Sequence, residues 1–217
     1  MVIISFKKSR KIGRNCFSLT GQIFSVKNNN LIEFESQLER NLTYLLERRC
    51  DVSMYCEQPI QIEYFDGKIK RKYIPDFYVQ YQDGSQEIIE VKYEKDLLEK
   101  KDFLELKFKA AREFCSSNNL TFKILTEKEI NTPRMFNSKF LANYKTPRFR
   151  TNLGDIEYIL DTLDKLEGTT VTDLINACSF DENRRAELLF HLWYLVSNYL
   201  INFNEEEKLS MNTLIWK

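Results

Sequence analysis

Histidine is nearly absent from this chain: His191 is the only one in 217 residues. It sits in the apolar run AELLFHLWYLVSNYL, where a packed or partly exposed helix residue is expected. That argues against Ser-His-Asp or Cys-His catalysis and against a histidine-rich metal site. Glycine is scarce as well, at six residues. No P-loop and no G-x-G-x-x-G occurs, so neither a nucleotide-driven motor nor a dehydrogenase is expected. No run of about 18 apolar residues is present, which excludes an apolar membrane-spanning helix. The opening MVIISFKKSRK places its charges after its apolar residues and has no cleavage pattern, so it does not read as a signal peptide, and an intracellular protein is expected. The cysteines are five in number (Cys16, Cys50, Cys56, Cys115 and Cys178) and form no C-x-x-C pair. A zinc ribbon or thioredoxin-like motif is thereby excluded, and reduced, mostly buried thiols are expected.

What is present is charge, unevenly placed. The chain balances 32 Lys+Arg against 32 Asp+Glu. Residues 1–154 hold 27 basic and 20 acidic residues, a surplus of seven positive charges; residues 155–217 hold 5 and 12, a surplus of seven negative charges. A basic part suits a polyanion such as DNA and an acidic part suits it poorly, so two modules with different partners are expected. Residues 1–15 carry Lys7, Lys8, Arg10, Lys11 and Arg14 with no acid and read as a basic arm, either solvated or phosphate-contacting.

The pattern along the chain predicts a mixed α/β domain. Leu38, Leu42, Leu45 and Leu46 recur at helical spacing over 36–49, and Ser36 with Glu39 has the S-x-x-E spacing of a capping box. A strand is expected within 53–64 around Ile60 and Ile62. Asp66-Gly67 and Asp83-Gly84 are hairpin signals that bracket a strand over 72–81, interrupted by Pro75. QEIIEVKY over 86–93 reads as a third strand, and 96–116 as a long helix with Leu97, Leu98, Leu104, Phe108, Ala111 and Cys115 on or near one side. LTFKIL over 120–125 reads as a fourth strand, followed by a helix over 127–144. Helices over 155–166, about 170–177 and 181–200, then a short strand pair near 201–203 and 213–216, outline a winged-helix-like module. The expected domains are a basic arm (1–15), a catalytic core (16–145), a basic linker (146–154) and a C-terminal interaction domain (155–217).

The chemistry concentrates at Pro75-Asp76 and, after thirteen intervening residues, Glu90-Val91-Lys92. Alternate side chains of a strand share a face, so Glu90 and Lys92 are expected to project together while Val91 and Tyr93 face the core. The Asp83-Gly84 turn would fold the Asp76 strand beside them. Two hard carboxylates suit Mg²⁺, with Mn²⁺ able to substitute, and a neighbouring lysine can steady an attacking hydroxide or a scissile phosphate. The bland alternative is a hairpin with surface charges and a cross-strand ion pair. Glu39 is a further candidate, with Glu33 and Glu35 as competing carboxylates and helix capping as its alternative role.

The stretch FESQLERNLTYLLERRCDVSMYCEQPIQIEY…RKYIPDFYVQY…IIEVKY resembles the TnsA family of transposon endonucleases over roughly residues 1–145. The residues that carry the likeness are Ser36-Gln37-Leu38-Glu39, Gln58-Pro59, Pro75-Asp76-Phe77 and Glu90-Val91-Lys92, followed by LTEKEIN at 125–131. The compact length is similar to versions found in CRISPR-associated elements. The resemblance implies a restriction-endonuclease-like core in a bacterial cytoplasmic protein. It implies Mg²⁺ held by Asp76 and Glu90 with Glu39 completing the site, and Lys92 assisting catalysis. It also implies cleavage at the 5′ ends of a transposon, with a separate integrase-type transposase acting on the 3′ ends. An AAA+ regulator would be met by a C-terminal winged-helix domain. Two other readings stay open: a stand-alone restriction, repair or junction-resolving nuclease on the same core, and a catalytically idle adaptor between DNA and a protein.

Overall fold

The computed structural model describes residues 19–145 and 152–217. The basic arm, Cys16 and most of the expected linker lie outside the described residues. Contacts divide the chain into two compact units, the first ending at Asn131 and the second beginning at Thr132.

The first unit opens with a hairpin, β1 (Gly21–Ser25) and β2 (Asn30–Phe34), followed by α1 (Gln37–Arg48). Next come β3 (Val52–Glu57), a second hairpin of β4 (Ile62–Phe65) and β5 (Lys70–Tyr73), then β6 (Phe77–Tyr81) and β7 (Gln86–Val91). Two helices, α2 (Glu94–Glu99) and α3 (Lys101–Ser117), lead to β8 (Thr121–Leu125) and a last turn of helix, α4 (Glu127–Ile130). The central sheet has the order β3-β6-β7-β8. Its first two pairings are antiparallel and β7–β8 is parallel, the crossover being made by α2 and α3.

Alternation along the strands decides which helix covers which face. Phe77, Val79, Ile89 and Val91 bury against Leu38 and Leu42 of α1. Tyr78 and Ile88 bury against Cys115 of α3. With both faces covered, β7 is buried at every position from Ile88 to Val91 rather than at alternate ones. This is a mixed α/β architecture consistent with a restriction-endonuclease-like core.

Several expected elements are shorter than the pattern predicts. The strand expected within 53–64 is two strands in different sheets, separated at Gln58, which adopts a positive φ of 47°. The strand over 72–81 is likewise two, because Pro75 between them has no N–H to continue a ladder. Both Asp-Gly turns form as expected: Gly67 and Gly84 take φ of 92° and 85°, where glycine carries no steric penalty. The helix over 96–116 is broken at Lys100 into α2 and α3. The helix over 127–144 is broken too. Thr126 and Glu129 close a capping box on α4, and Pro133 then starts a new helix at a position where it loses no hydrogen bond. Tyr93 does not face the core; it is 41% exposed, because β7 ends at Val91 and the chain turns into α2.

The second unit comprises α5 (Pro133–Leu141), a 3-10 turn (Ala142–Tyr144), α6 (Leu153–Leu166), β9 (Thr169–Thr170), α7 (Val171–Cys178), α8 (Glu182–Ser197), β10 (Asn202–Phe203) and β11 (Leu214–Trp216). The three short strands form an antiparallel sheet of order β10-β11-β9. Residues 132–145, read from sequence as the end of the core, group with this unit. Leu141 joins its apolar core beside Ile159, Leu163 and Leu192, and the Ser197 hydroxyl donates to the Leu141 carbonyl at 2.9 Å. His191 is held between the Asn152 N–H and the Glu187 carbonyl, a structural use of the single imidazole. No described helix is long and apolar enough to cross a membrane. The four described cysteines are free; Cys115 and Cys178 are buried, and Cys50 is exposed.

One buried carboxylate ties the β1–β2 hairpin to the rest of the first unit. Glu47 of α1 accepts from the Ser25 hydroxyl (2.8 Å), the Tyr55 hydroxyl (2.9 Å), and the N–H groups of Val26 (2.9 Å) and Lys27 (3.2 Å). Glu47→Ala would leave these donors without their acceptor, at a cost of about 2–4 kcal/mol. Urea denaturation of the two proteins measures this, with Glu47→Gln expected to lose less because it keeps one acceptor oxygen.

Candidate functional site

The register of the β6–β7 hairpin brings the two motif carboxylates together. Phe77 pairs with Ile89, so one step further along the two strands Asp76 lies across from Glu90. Asp76 is fixed from both sides by backbone: the Val91 N–H donates to its Oδ2 at 2.7 Å, and its own carbonyl accepts from the Gln58 N–H at 2.8 Å. Lys92, just past the end of β7, is held by its N–H to the Leu125 carbonyl at 3.1 Å, which continues the β7–β8 pairing.

Glu90 is 1% exposed. A carboxylate so deeply buried is costly unless it is paired, and here both oxygens are engaged. The Tyr73 hydroxyl donates to Oε2 at 2.6 Å. Oε1 takes the Lys107 ammonium at 2.8 Å and the Lys92 ammonium at 3.1 Å. The Lys107 side chain is 14% exposed and that of Lys92 is 31% exposed. The Lys107 ammonium also lies over the rings of Tyr73 (4.7 Å) and Phe108 (5.0 Å).

Tyr73 and Lys107 are the site residues that the sequence reading missed. For Lys107 a signal exists. Leu104, Lys107, Phe108 and Ala111 have the i, i+3, i+4, i+7 spacing of one helix face, so a lysine interrupts an otherwise apolar stripe. Tyr73 ends the basic strand KRKY, and nothing local distinguishes it from a core aromatic.

Glu39 belongs to the cluster, but it also serves the helix start. Ser36 caps α1 by accepting from the Glu39 N–H at 3.1 Å. The Glu39 carboxylate, however, accepts from the Glu35 N–H at 2.9 Å, so the bond expected from the capping-box spacing is set one residue earlier. Glu33 lies on β2, where its carboxylate accepts from the Gln22 amide at 3.0 Å.

The electrostatics show how closely these groups are coupled. Burial, then the Glu90 carboxylate, push Asp76 well above the usual carboxylate range; Glu39 adds to this, while Lys92 and the Val91 N–H oppose it. Burial also raises Glu39, with the Glu35 carboxylate adding, against the Glu35 N–H, Ser36 and Lys92. Burial alone would lower Lys92, but Asp76, Glu90 and Glu39 together outweigh it, and the ammonium is held above its ordinary value. Lys92 is thus the common counter-charge of three carboxylates. The donor set, all hard oxygens in mutual repulsion, fits a hard divalent cation in kind. Among the described residues, however, no three His, Cys, Asp or Glu side chains converge closely enough to hold an ion, and Glu90 Oε1 is taken by ammonium groups.

Residues 50–127 match a protein-family model described as TnsA-like endonuclease N terminal. The matched segment is narrower than the 1–145 over which the sequence resembles that family. Within it fall Tyr73, Asp76, Glu90, Lys92 and Lys107; Glu39 lies outside. The match supports a transposon-associated nuclease. A search of the curated proteins returns no match.

The raised Asp76 value has a stability consequence of definite sign. A carboxyl whose folded value lies above its unfolded one favours folding below the ordinary carboxylate range, and that contribution is lost as pH rises through the folded value. Asp76→Asn removes the loss and keeps an oxygen for the Val91 N–H. In chelator, its stability should match that of the wild type near pH 3–4 and exceed it increasingly toward neutral pH, as urea midpoints across the range would reveal.

Proposed function

We propose that this protein, whose residues 50–127 match a TnsA-like endonuclease model, is a Mg²⁺-dependent DNA endonuclease that cuts the 5′ ends of a transposon during cut-and-paste transposition. It acts beside a separate integrase-type transposase and an AAA+ regulator. The observation that carries this reading is the cluster itself: Asp76 across from Glu90 on one hairpin, the Lys92 ammonium 3.1 Å from Glu90, and the Glu39 charge felt by Asp76 and Lys92, all but Glu39 within the matched segment.

Asp76, Glu90 and Glu39, which do not converge on one point in the metal-free structure, would have to draw together to hold the ion, with Mn²⁺ able to substitute. When bound, it supplies positive charge to the scissile phosphate and eases ionisation of the attacking water. The remaining work falls to the chain. The Val91 N–H holds Asp76 Oδ2 in place, and the Glu35 N–H holds Glu39 Oε2. Lys92, the more exposed of the two lysines on Glu90, contacts the phosphate or the nucleophile and offsets charge that builds up during bond cleavage. All but Glu39 stand on or next to the strands of one sheet, which gives such a site its rigidity.

The C-terminal unit supports the partner half of the reading. Its order of helix, strand, helix, helix, strand, strand from α6 onward, with the β10-β11-β9 sheet, supports reading it as a winged-helix module. The seven-charge acidic surplus of residues 155–217 favours a protein partner, the AAA+ regulator, over DNA.

In a reconstituted excision reaction, Asp76→Ala should abolish 5′-end cutting while its far-UV circular dichroism stays that of the wild type. Lys92→Ala should slow cutting by about 10²–10³-fold. Retained cutting by the Asp76 variant would sink the proposal. Robust cutting of plain DNA without the transposase would favour a stand-alone nuclease.

A further inference from the structure

Glu90 has two cationic partners on a single oxygen. Lys92, at 3.1 Å, is shared with Asp76 and Glu39. Lys107 comes closer, at 2.8 Å, and from a different element, the covering helix α3. Its surroundings are built to hold a cation: the Tyr73 ring on one strand, the Phe108 ring next to it on the helix, and the carboxylate oxygen itself. Aromatic faces attract an ammonium and stabilise it where water is sparse. The Tyr73 hydroxyl holds the other oxygen at 2.6 Å, so Oε1 stays turned toward the two lysines.

This arrangement competes with the divalent ion of the function proposed above. A hard cation binds a carboxylate oxygen at about 2.0–2.6 Å, well inside the range of strong repulsion from an ammonium on the same oxygen. We propose that Lys107 is a resident counter-cation: it occupies Glu90 in the metal-free protein and must release Oε1 before a divalent ion can use it. The buried carboxylate is thereby satisfied before the ion arrives. The site's affinity for the ion is also held down until DNA phosphate brings further negative charge.

The test is Mn²⁺ titration by calorimetry on the full chain without DNA, paired with thermal melting in chelator and in Mn²⁺. Lys107→Met should bind Mn²⁺ about tenfold more tightly than the wild type, because a competing charge is gone. Its melting temperature in chelator should fall, and its Mn²⁺-induced rise should grow. Lys107→Arg restores a fixed positive charge and should return affinity to within about threefold of the wild type. Should Lys107→Met fail to fold, Lys107→Gln, which keeps a donor for Oε1 without the charge, should show the same tightening.

Unchanged or weaker Mn²⁺ binding in both uncharged variants would overturn the proposal, weaker binding meaning that Lys107 only positions Glu90. Asp76→Ala separates this outcome from failure of the function reading. If it abolishes Mn²⁺ binding while the Lys107 variants bind no more tightly, only the role of Lys107 falls. If Mn²⁺ binding is indifferent to Asp76 in every background, both fall.

Discussion

Everything near the site answers to one constraint: a glutamate is buried almost completely between a sheet and a helix. An unpaired charge there would cost more than most single contacts in the protein supply. Glu90 is tolerated because Tyr73, Lys92 and Lys107 reach it from three parts of the chain. Those parts must therefore come together correctly before the carboxylate can be buried at all. The β4–β5 hairpin has to end at Tyr73, α3 has to present Lys107 toward the sheet, and β7 has to stop where Lys92 can fold back on its neighbour.

Glu47 in the same unit is also buried, and the comparison is instructive. Glu47 is satisfied by two hydroxyls and two backbone N–H groups. No ammonium is among these donors, and the result is a fixed joint between a hairpin, a helix and a strand. Glu90 is held mainly by ammonium groups on movable side chains, next to Asp76, whose own charge is disfavoured. Lysine stems can swing and backbone amides cannot. Glu47 is suited to staying as it is, Glu90 to exchanging one cation for another.

The two units also differ in how their charges are used. In the first, charge is gathered into a buried cluster on a sheet whose two faces are covered by helices. In the second, the core is apolar and built from short helices around Ile159, Leu163 and Leu192. Asp155 there is buried against Arg184, and the excess acid lies elsewhere along the unit.

Local sequence was enough to determine the alternation of helices and strands, both Asp-Gly turns, the caps at Ser36 and Thr126, and the nearness of Asp76, Glu90 and Lys92. Each depends on residues close in the chain, through a two-residue strand period, a turn that demands positive φ, or a side chain reaching its own helix end. Proline set the breaks that longer apolar patterns hid, at Pro75 and Pro133. The tertiary structure alone decided the rest. Tyr73 and Lys107 joined the site because a separate hairpin and a covering helix close over β7, contacts between residues seventeen apart in sequence on elements that no local period relates. The depth of Glu90 was decided in the same way. Alternation says which side of a strand a residue takes, but only the helix packed on that side determines whether it meets water or a lysine.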